Sequence, residues 1–513
     1  MPEAKWDPVA RGHVFMACIA ALFAVVVFRS AWIHDDAYIT FRTVDNFIHG
    51  YGLRWNAVER VQTYTHPLWM LLVSACYAIT REVYFTTLGV SLVLSMATVY
   101  LVAFGTARST AAACLGMAVL MSSSAFVDYS TSGLENPLTH VLFAAFLVLW
   151  FTRDISPFLL GALTAIAALG AVNRMDTLLL YLPMLAYGLF QVPRKQGVAA
   201  LACGVLPLVL WVSFSLVYYG FIFPNTAYAK LFAAGVSGAE LARHGWYYFQ
   251  NSARHDPLTL LAIGAGVALG LASRDRRQAA VVGGLAAYLA YIVYIGGDFV
   301  SGRFLSAPLL GAVAVLSRQH IPSRTLVAGL SGVVLVVGLM ASDPPLLRTA
   351  AAGSQGTPLM DAHGIADERA YYYPYSGLLR ALQGVTVASH PWARAGLEAR
   401  HRTVPVEVRG DIGYFGFHAG PAVHVIDVWG LADPLIARLP ARTDVRWRIG
   451  HFTRTIPAGY PETLATGRNQ IADRDIATLY DRLTLITRGP LFDAHRLSAI
   501  WESHLGTWSG DGR

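Results

Sequence analysis

Two adjacent carboxylates, Asp35 and Asp36, follow directly on a long apolar run at residues 14–31. Such a pair can supply a general base, because burial of one carboxylate beside another raises its pKa toward the range useful for removing a hydroxyl proton. A solvated helix terminus is the alternative interpretation. Neighbouring residues in a strand or loop point opposite ways, so the two are expected to differ in role. Asp35 and Asp36 are therefore the candidate catalytic residues.

Two arginines stand in segments that favour anion binding. Arg303 lies in GGDFVSGRF at 296–304, where glycines let the backbone approach a ligand closely, and Arg174 lies in NRMD at 173–176. A guanidinium grips phosphate through paired hydrogen bonds. The alternative is an interfacial arginine whose head group reaches toward lipid head groups.

Further uncommon polar and aromatic residues fall between the apolar runs rather than inside them. Trp and Tyr are enriched at any membrane interface, which is the interpretation we favour for most of the aromatic residues, although they could also stack on sugar rings. The residues that we keep as candidate ligand contacts are Arg42, His66, Trp69, Glu135, Asp176 and Asp298.

The sequence lacks the motifs of several enzyme classes. GxxxxGK[ST], GxGxxG at a strand–helix junction, HExxH and GxSxG are all absent. Nucleotide-driven transport, dinucleotide chemistry, zincin chemistry and the serine-hydrolase elbow therefore have no signature. We expect no cofactor and assign no metal ligands, while a divalent metal is left open.

Composition identifies the chain as a membrane protein. Of its 513 residues, 55% are hydrophobic and 14% are charged, and the mean hydropathy is +0.46. A soluble protein has about 25% charged residues. Residues 1–341 hold 36 of the 71 charges, and the much shorter stretch at 342–513 holds the rest, so charged residues are far denser in the second part. The sequence therefore predicts a membrane domain at 1–341 and a soluble domain at 342–513.

The charged and cysteine residues exclude two further classes. The net charge of +7 comes from basic residues scattered at segment ends, which argues against a nucleic-acid partner. The four cysteines lie in apolar stretches without CxxC spacing, so we expect neither a metal site nor disulfides.

Eleven apolar runs are long enough, or nearly so, to cross a bilayer, given that a span needs about 20 residues. With a cytoplasmic N-terminus, the cytoplasmic side carries eleven basic and four acidic residues, and the C-terminal domain lies outside. The predicted spans are 14–31, 84–105, 110–127, 138–151, 157–172, 177–192, 198–219, 258–272, 279–295, 304–317 and 325–341.

One further apolar segment, at 66–80, does not fit this alternation of loops between the two sides of the membrane. It has about fifteen residues and a proline at its start, and counting it as a span would place the arginine-rich loops outside. We therefore predict a juxtamembrane helix at 66–80 within a first outer loop at 32–83. Since the spans hold almost no ionisable residues, a transporter is disfavoured.

The sequence resembles the GT-C glycosyltransferases, polytopic membrane enzymes that use polyprenyl-phosphate sugars. Within that class it is most similar to the cell-wall terminal β-(1→2) arabinofuranosyltransferases. The motifs that carry the resemblance are HDDAYITFRTVDNFIHGYGLRWNAVERVQTYTHPLW at 34–69, TSGLENPL at 131–138, GGDFVSGRFLSAP at 296–308, GDIGYFG at 410–416 and VIDVWGLADP at 425–434.

The resemblance implies a catalytic aspartate in the first outer loop, which falls on Asp35 or Asp36. It implies a lipid-phosphate donor entering between helices, with Arg42, Arg174 and Arg303 as candidate ligands of the donor phosphate. It also implies a carbohydrate acceptor entering from the extracytoplasmic side. His66, Trp69, Glu135, Asp176 and Asp298 then become candidate substrate contacts.

The sequence patterns of the C-terminal part predict a small mixed α/β domain. TVPVEV at 403–408 and AVHVIDVW at 422–429 are typical of strands, and IADRDIATLYDRLTLITR at 471–488 is typical of a helix. Asp411 and Asp427 lie near the ends of those runs, where turn formation is the commoner role. We expect this domain to help bind the acceptor.

Together these observations predict a multi-pass enzyme of the inner (cytoplasmic) membrane. The expected reaction transfers a sugar, D-arabinofuranose by the resemblance, from a polyprenyl phosphate to a glycan or glycoprotein outside the cytoplasm. Its partners are that donor, that acceptor and membrane lipids. The alternatives are a non-enzymatic envelope or flagellar-motor membrane protein of the same fold and, less favoured, a transporter.

Overall fold

The computed structural model describes residues 8–232, 235–349, 359–402, 405–442, 444 and 447–505. The chain forms two compact units, each built from separate segments. The first unit comprises residues 1–34, 84–208 and 237–385, and the second comprises residues 35–83, 209–236 and 386–513. The predicted boundary between a membrane domain at 1–341 and an extracytoplasmic domain at 342–513 concerns the bilayer and stays a prediction.

The first unit is a helical assembly around one continuous apolar core. Glycines allow close helix packing: a Cβ at Gly266 would lie 2.7 Å from the Ala312 Cβ, and one at Gly284 would collide with the Leu180 carbonyl. Its α-helices are Pro8–Ser30, Val83–Tyr100, Thr110–Ser122, Ser124–Asp128, Asn136–Thr152, Pro157–Asn173, Leu178–Phe190, Arg194–Gly204, Gly238–His255, Pro257–Ala272, Arg276–Tyr294, Ser306–Leu316, Arg324–Leu339, Glu368–Ser376 and Leu378–Ala381, of which Val83–Tyr100 begins at the last residue of the neighbouring segment.

Short helical segments extend or join these helices. A π-helical segment, Leu101–Thr106, continues Val83–Tyr100, and 3₁₀ turns occur at Met175–Thr177, Arg303–Leu305 and Pro345–Leu347. The mainly helical architecture that the sequence predicts is confirmed.

Helices of membrane-spanning length are fewer than predicted. Within the described residues, Val83–Thr106 alone is long and apolar enough to cross a bilayer. The number rises to four if three broken helix pairs are each counted as one span. In one such pair, Gly238–His255 and Pro257–Ala272 meet at 111°, where Pro257 begins the second helix. Most of the other predicted runs form apolar helices of 10–17 residues, and the count of eleven spans stays a prediction.

The second unit mixes helices with a two-stranded parallel sheet. Strands Val406–Arg409 and His424–Asp427 pair in parallel, with Val408 opposite Ile426. They overlap the two predicted strand runs, although the first strand extends one residue beyond its run, to Arg409. Helix Arg474–Arg488 falls inside the predicted helical run, so the predicted mixture of strands and helix is confirmed for this part. Residues 403 and 404 of the first run lie outside the described residues.

The helices of the second unit pack through three small apolar clusters, two of which include residues of the sheet. A helix at the predicted juxtamembrane position is present as Pro67–Thr80 and ends at Arg81, which has a left-handed backbone (φ 56°). The other helical elements are Asp35–Ile48, Leu206–Tyr218, Asn225–Ala227, Tyr228–Phe232 (π), Val387–Ser389 (3₁₀), Pro391–Arg400, Gly413–Ala419, Ile436–Arg438 (3₁₀), Tyr460–Thr466, Arg474–Arg488 and Ala494–His504, of which Leu206–Tyr218 begins in a segment of the first unit.

Candidate functional site

Asp35 is held by the backbone of a distant segment of its own unit. It is the first residue of helix Asp35–Ile48, and 5% of its surface is exposed. Its Oδ1 accepts a hydrogen bond of 2.6 Å from the Tyr414 backbone N–H, and its Oδ2 accepts one of 3.2 Å from the Gly413 N–H. Both carboxylate oxygens are therefore fixed in direction.

The glycine of GDIGYFG that contacts Asp35 cannot be replaced without movement. A Cβ at Gly413 would collide with the Asp35 backbone carbonyl oxygen and would lie 2.5 Å from its carboxyl carbon. The sequence motif thus has a physical reason, since close approach of two backbones requires a residue without a side chain. Sequence reasoning did not identify Gly413 and Tyr414 as contacts of Asp35, because they are more than 370 positions away.

The environment of Asp35 favours its protonated form. Burial is the largest influence and raises its pKa well above the usual aspartate range, while the Tyr414 N–H acts in the opposite direction. The negative charges of Asp36 and Asp411 raise it further. Asp36, the second candidate, is only half-buried. The two carboxylates therefore occupy different environments. They lie in the first turn of a helix and not in the strand or loop that the sequence argument assumed, and their different roles stay a prediction.

Arg42 lies about two turns after Asp35 on the same face of helix Asp35–Ile48, and its guanidinium donates hydrogen bonds to backbone carbonyls. Nε donates to Trp55 O (2.9 Å), Nη1 to Gly416 O (2.9 Å) and Nη2 to Val423 O (2.7 Å). The guanidinium also stacks 4.1 Å from the centre of the Trp55 ring. Burial lowers its pKa to about 9. In this structure Arg42 joins the helix to the GDIGYFG segment, and its contact with a donor phosphate stays a prediction.

His66 and Trp69 lie at the start of helix Pro67–Thr80, which packs on helix Asp35–Ile48. The His66 Nε2 is 2.8 Å from the Thr40 hydroxyl, and the Trp69 ring is fully buried. These contacts fix the two helices against each other. The proposed contacts of His66 and Trp69 with substrate stay predictions.

The other five candidate residues come together in the first unit, around the ring of Phe304. Arg174 follows helix Pro157–Asn173 in an extended conformation, and Arg303 follows Gly302, whose φ is +76°. The Arg174 guanidinium is 4.3 Å from the Phe304 ring centre, and that of Arg303 is 5.4 Å from it. The sequence motifs NRMD and GGDFVSGRF therefore meet in space.

Each of these arginines is paired with carboxylates. Arg174 donates through Nη1 to Glu135 Oε1 at 2.8 Å and through Nε and Nη2 to the two oxygens of Asp176 at 2.8 and 3.0 Å. Arg303 donates through Nε to Asp298 Oδ2 at 2.6 Å.

Charge within this group is nearly balanced. Burial lowers the pKa of the Arg174 guanidinium, but the charges of Asp176 and Glu135 outweigh burial and raise it above its usual range. With two arginines and three carboxylates, the group carries one formal negative charge when all are ionised. Both arginines are engaged with carboxylates in this structure, and their contact with a donor phosphate stays a prediction.

A further charged group in the first unit carries no sequence signal. Arg348 pairs with Asp128 and, at 2.8 Å, with Asp343, while Arg369 lies 3.2 Å from Asp343. Burial raises the pKa of the Asp128 carboxyl to about 6, despite the opposing charges of both arginines. These residues come from segments far apart in the chain, so no local spacing predicts the group.

No group of three or more His, Cys, Asp or Glu side chains with the geometry to hold a metal ion occurs within the described ranges.

The comparisons with known proteins give two sequence relatives. No family model matches the chain. It is 28% identical to the terminal β-(1→2)-arabinofuranosyltransferase of Mycobacterium tuberculosis (strain H37Rv), over 86% of this chain and 84% of that protein. It is 30% identical to the terminal β-(1→2)-arabinofuranosyltransferase of Corynebacterium glutamicum, over 56% of this chain and about half (48%) of that protein.

Two solved structures are also similar. ArnT from Cupriavidus metallidurans bound to undecaprenyl phosphate matches with a TM-score of 0.49 and 15% identity, over 80% of this chain and 85% of that one. The archaeal oligosaccharyltransferase AglB from Archaeoglobus fulgidus, in complex with an inhibitory peptide and a dolichol-phosphate, matches with a TM-score of 0.46 and 10% identity, over 81% and 64%.

The resemblance inferred from the motifs is confirmed by both sequence relatives. Each is named as a terminal β-(1→2)-arabinofuranosyltransferase. The classification of this chain among the glycosyltransferases is confirmed on the same ground.

Proposed function

We propose that this relative of the terminal β-(1→2)-arabinofuranosyltransferases transfers D-arabinofuranose from a polyprenyl phosphate to a hydroxyl of a glycan or glycoprotein. Transfer takes place on the extracytoplasmic side of the inner membrane, with the N-terminus in the cytoplasm and the C-terminal domain outside. The similarity over 86% of the chain supports the reaction class and the sugar. The excess of basic residues in one set of loops supports the orientation.

The observation that carries the proposal is the environment of Asp35. A buried carboxylate whose orientation is fixed by the Gly413 and Tyr414 N–H groups, and whose pKa is raised, has the properties of a general base for an alcohol. We therefore assign Asp35 as the base that accepts the proton of the acceptor hydroxyl. Asp36 adds a negative charge that keeps the pKa of Asp35 high.

Bond making and breaking follow from these assignments. The acceptor oxygen forms a bond to the anomeric carbon of the sugar, the bond from that carbon to the phosphate oxygen breaks, and polyprenyl phosphate leaves. The hydroxyl proton passes to the Asp35 carboxylate and then to solvent. Charge that develops on the leaving phosphate requires cationic donors.

Arg174 and Arg303 are the proposed ligands of the donor phosphate. Both present planar guanidinium groups on one aromatic ring, Phe304, and both are only 13% exposed. Paired hydrogen bonds from a guanidinium suit a phosphate, and their strength increases when water is excluded. Glu135, Asp176 and Asp298 orient these arginines before the donor arrives and remain proposed substrate contacts.

The proposal is tested with purified protein, synthetic polyprenyl-phosphate D-arabinofuranose and an arabinofuranosyl oligosaccharide acceptor. We expect a product one pentose larger, detected by mass spectrometry, and none from the matched polyprenyl-phosphate ribofuranose. Arg303→Gln is expected to raise the KM for the donor. Arg380→Gln, at a partly exposed arginine whose side chain donates to nearby Gln383, is expected to leave it unchanged. Absence of any product with the wild-type protein would contradict the proposed activity.

A further inference from the structure

Helix Ala494–His504 of the second unit, which we refer to as the C-terminal helix, leaves three large apolar side chains exposed. Leu497 is 44%, Trp501 67% and Leu505 58% exposed. They follow one another at intervals of four residues, so they form one row along the helix and the residue that caps it. A contiguous exposed apolar surface is typical of contact with a partner or a membrane.

This apolar row is separate from the face by which the helix packs on its own unit. The packed face is formed by the buried residues Arg496, Ala499 and Ile500. Ser498 and Glu502 lie on a third, exposed face, where the Ser498 Oγ donates to the Glu502 Oε1 at 3.0 Å. The C-terminal helix therefore presents an apolar and a polar face to its surroundings, in addition to the face that joins the core.

The C-terminal helix is fixed to the end of helix Leu206–Tyr218. Arg496, which is fully buried, donates through Nη2 to the Tyr218 carbonyl oxygen at 3.0 Å. Ile500 belongs to a small apolar cluster against which Leu216 packs. A polar anchor and an apolar contact thus hold the C-terminal helix at the level at which helix Leu206–Tyr218 ends.

Helix Leu206–Tyr218 exposes apolar side chains almost to that end. It is the second helix of a broken pair that is together long and apolar enough to cross a bilayer, and it lies within the predicted span 198–219. A helical segment of that length measures about 33 Å, close to the thickness of the hydrocarbon core, so its end lies near the membrane surface. The large apolar side chains exposed along one side of it in the second unit are Val209, Leu210, Phe214 and Val217.

We propose that the C-terminal helix lies along the surface of the bilayer, with Leu497, Trp501 and Leu505 inserted among the lipids of the leaflet in which helix Leu206–Tyr218 ends. In the proposed orientation this is the outer leaflet. An interfacial amphipathic helix buries its apolar face about 5–10 Å into the boundary between head groups and acyl chains, where Trp is enriched. The proposal goes beyond the proposed reaction, since it requires only that helix Leu206–Tyr218 crosses the bilayer.

The size of the apolar row argues for lipid rather than protein as its partner. Three side chains on one helix offer less than the area of about 800 Å² per partner that a stable dimer buries. The residues that follow, 506–513, hold one large apolar side chain, Trp508, which is too few to cover a row of three. A bilayer that contacts helix Leu206–Tyr218 continues directly to the C-terminal helix.

The proposal is tested by spin labels on the purified full-length protein in vesicles of equal parts phosphatidylethanolamine and phosphatidylglycerol. In a background without other cysteines, Leu497→Cys and Trp501→Cys report on the apolar row, and Ser498→Cys and Glu502→Cys are the matched controls on the polar face. Electron paramagnetic resonance measures collisions of each label with oxygen, which partitions into lipid, and with a water-soluble nickel chelate. We expect a several-fold higher oxygen-to-nickel ratio at the two apolar positions than at the two controls.

Equal ratios on the two faces would overturn the proposal. Few collisions with either reagent at Trp501→Cys would show that protein covers the row, from a second copy or from another segment of the chain, and would overturn it as well. No donor or acceptor is present, so the result does not depend on whether arabinose transfer occurs. Because all four positions are exposed, unfolding temperatures within about 2 °C of the cysteine-free protein are expected and show that the fold is retained.

Discussion

At Asp35 two influences act on one carboxylate in opposite directions. Burial and the neighbouring charge of Asp36 favour protonation, while the Gly413 and Tyr414 N–H groups favour the ionised form and fix its direction. A base of this kind is active when deprotonated, so activity is present above its pKa and is lost as pH falls through it. We therefore expect the acid limb of the pH profile well above the usual aspartate pKa of about 4.

Replacing the neighbouring charge tests this balance. Asp36→Asn removes a negative charge that raises the pKa of Asp35, so the acid limb of kcat/KM should move to lower pH while activity is retained. The measurement is kcat/KM from pH 4 to pH 9 for wild type and for Asp36→Asn. The assignment of Asp35 as the base would be wrong if the limb stays in place or moves to higher pH.

At the scale of elements, the GDIGYFG segment holds Asp35 in position. Gly413→Ala would push the two backbones apart, because a Cβ at that position collides with Asp35. A misplacement of about 1 Å can cost roughly 10²-fold in rate, so we expect kcat to fall by that order while the affinity for the donor lipid is retained. The control is Gly264→Ala, at a helical position with open space around it. Wild-type kcat in Gly413→Ala would contradict this positioning role.

Arg42 also helps to hold helix Asp35–Ile48 in place, through its hydrogen bonds to Trp55, Gly416 and Val423. Arg42→Lys loses at least two of three buried hydrogen bonds and the stacking on Trp55, so we expect a loss of about 2–4 kcal/mol in stability. The readout is the unfolding temperature, with the exposed Arg402→Lys as the control. A normal unfolding temperature together with a tenfold higher KM for the donor lipid would instead identify Arg42 as a phosphate ligand.

Local patterns predicted the elements, and they could not predict which elements meet. Alternation and helical periodicity located strands Val406–Arg409 and His424–Asp427 and helix Arg474–Arg488. The contact of Asp35 with Gly413 joins segments 378 positions apart, and no spacing rule reaches that far. The grouping of Arg174 with Arg303 around Phe304 likewise depends on tertiary packing, although each arginine was a candidate by its own motif.

At the scale of the whole molecule, the proposal fixes which parts of the chain face which side of the membrane. In a background where Cys18, Cys76, Cys114 and Cys203 are replaced by alanine, single cysteines are introduced as Gln196→Cys and Ser498→Cys, both at exposed positions. A membrane-impermeant maleimide added to intact spheroplasts should label Ser498→Cys and not Gln196→Cys. The reverse pattern would overturn the proposed orientation.

The whole-molecule claim is that a glycosyl transfer depends on one carboxylate, Asp35. The most direct test compares wild type, Asp35→Asn and Asp36→Asn in the transfer of arabinose from the synthetic polyprenyl phosphate, with donor affinity measured in parallel. We predict that Asp35→Asn lowers kcat by at least about 10²-fold, the scale of general-base catalysis, with donor affinity unchanged, and that Asp36→Asn remains active. Transfer by Asp35→Asn at the wild-type rate would contradict the account.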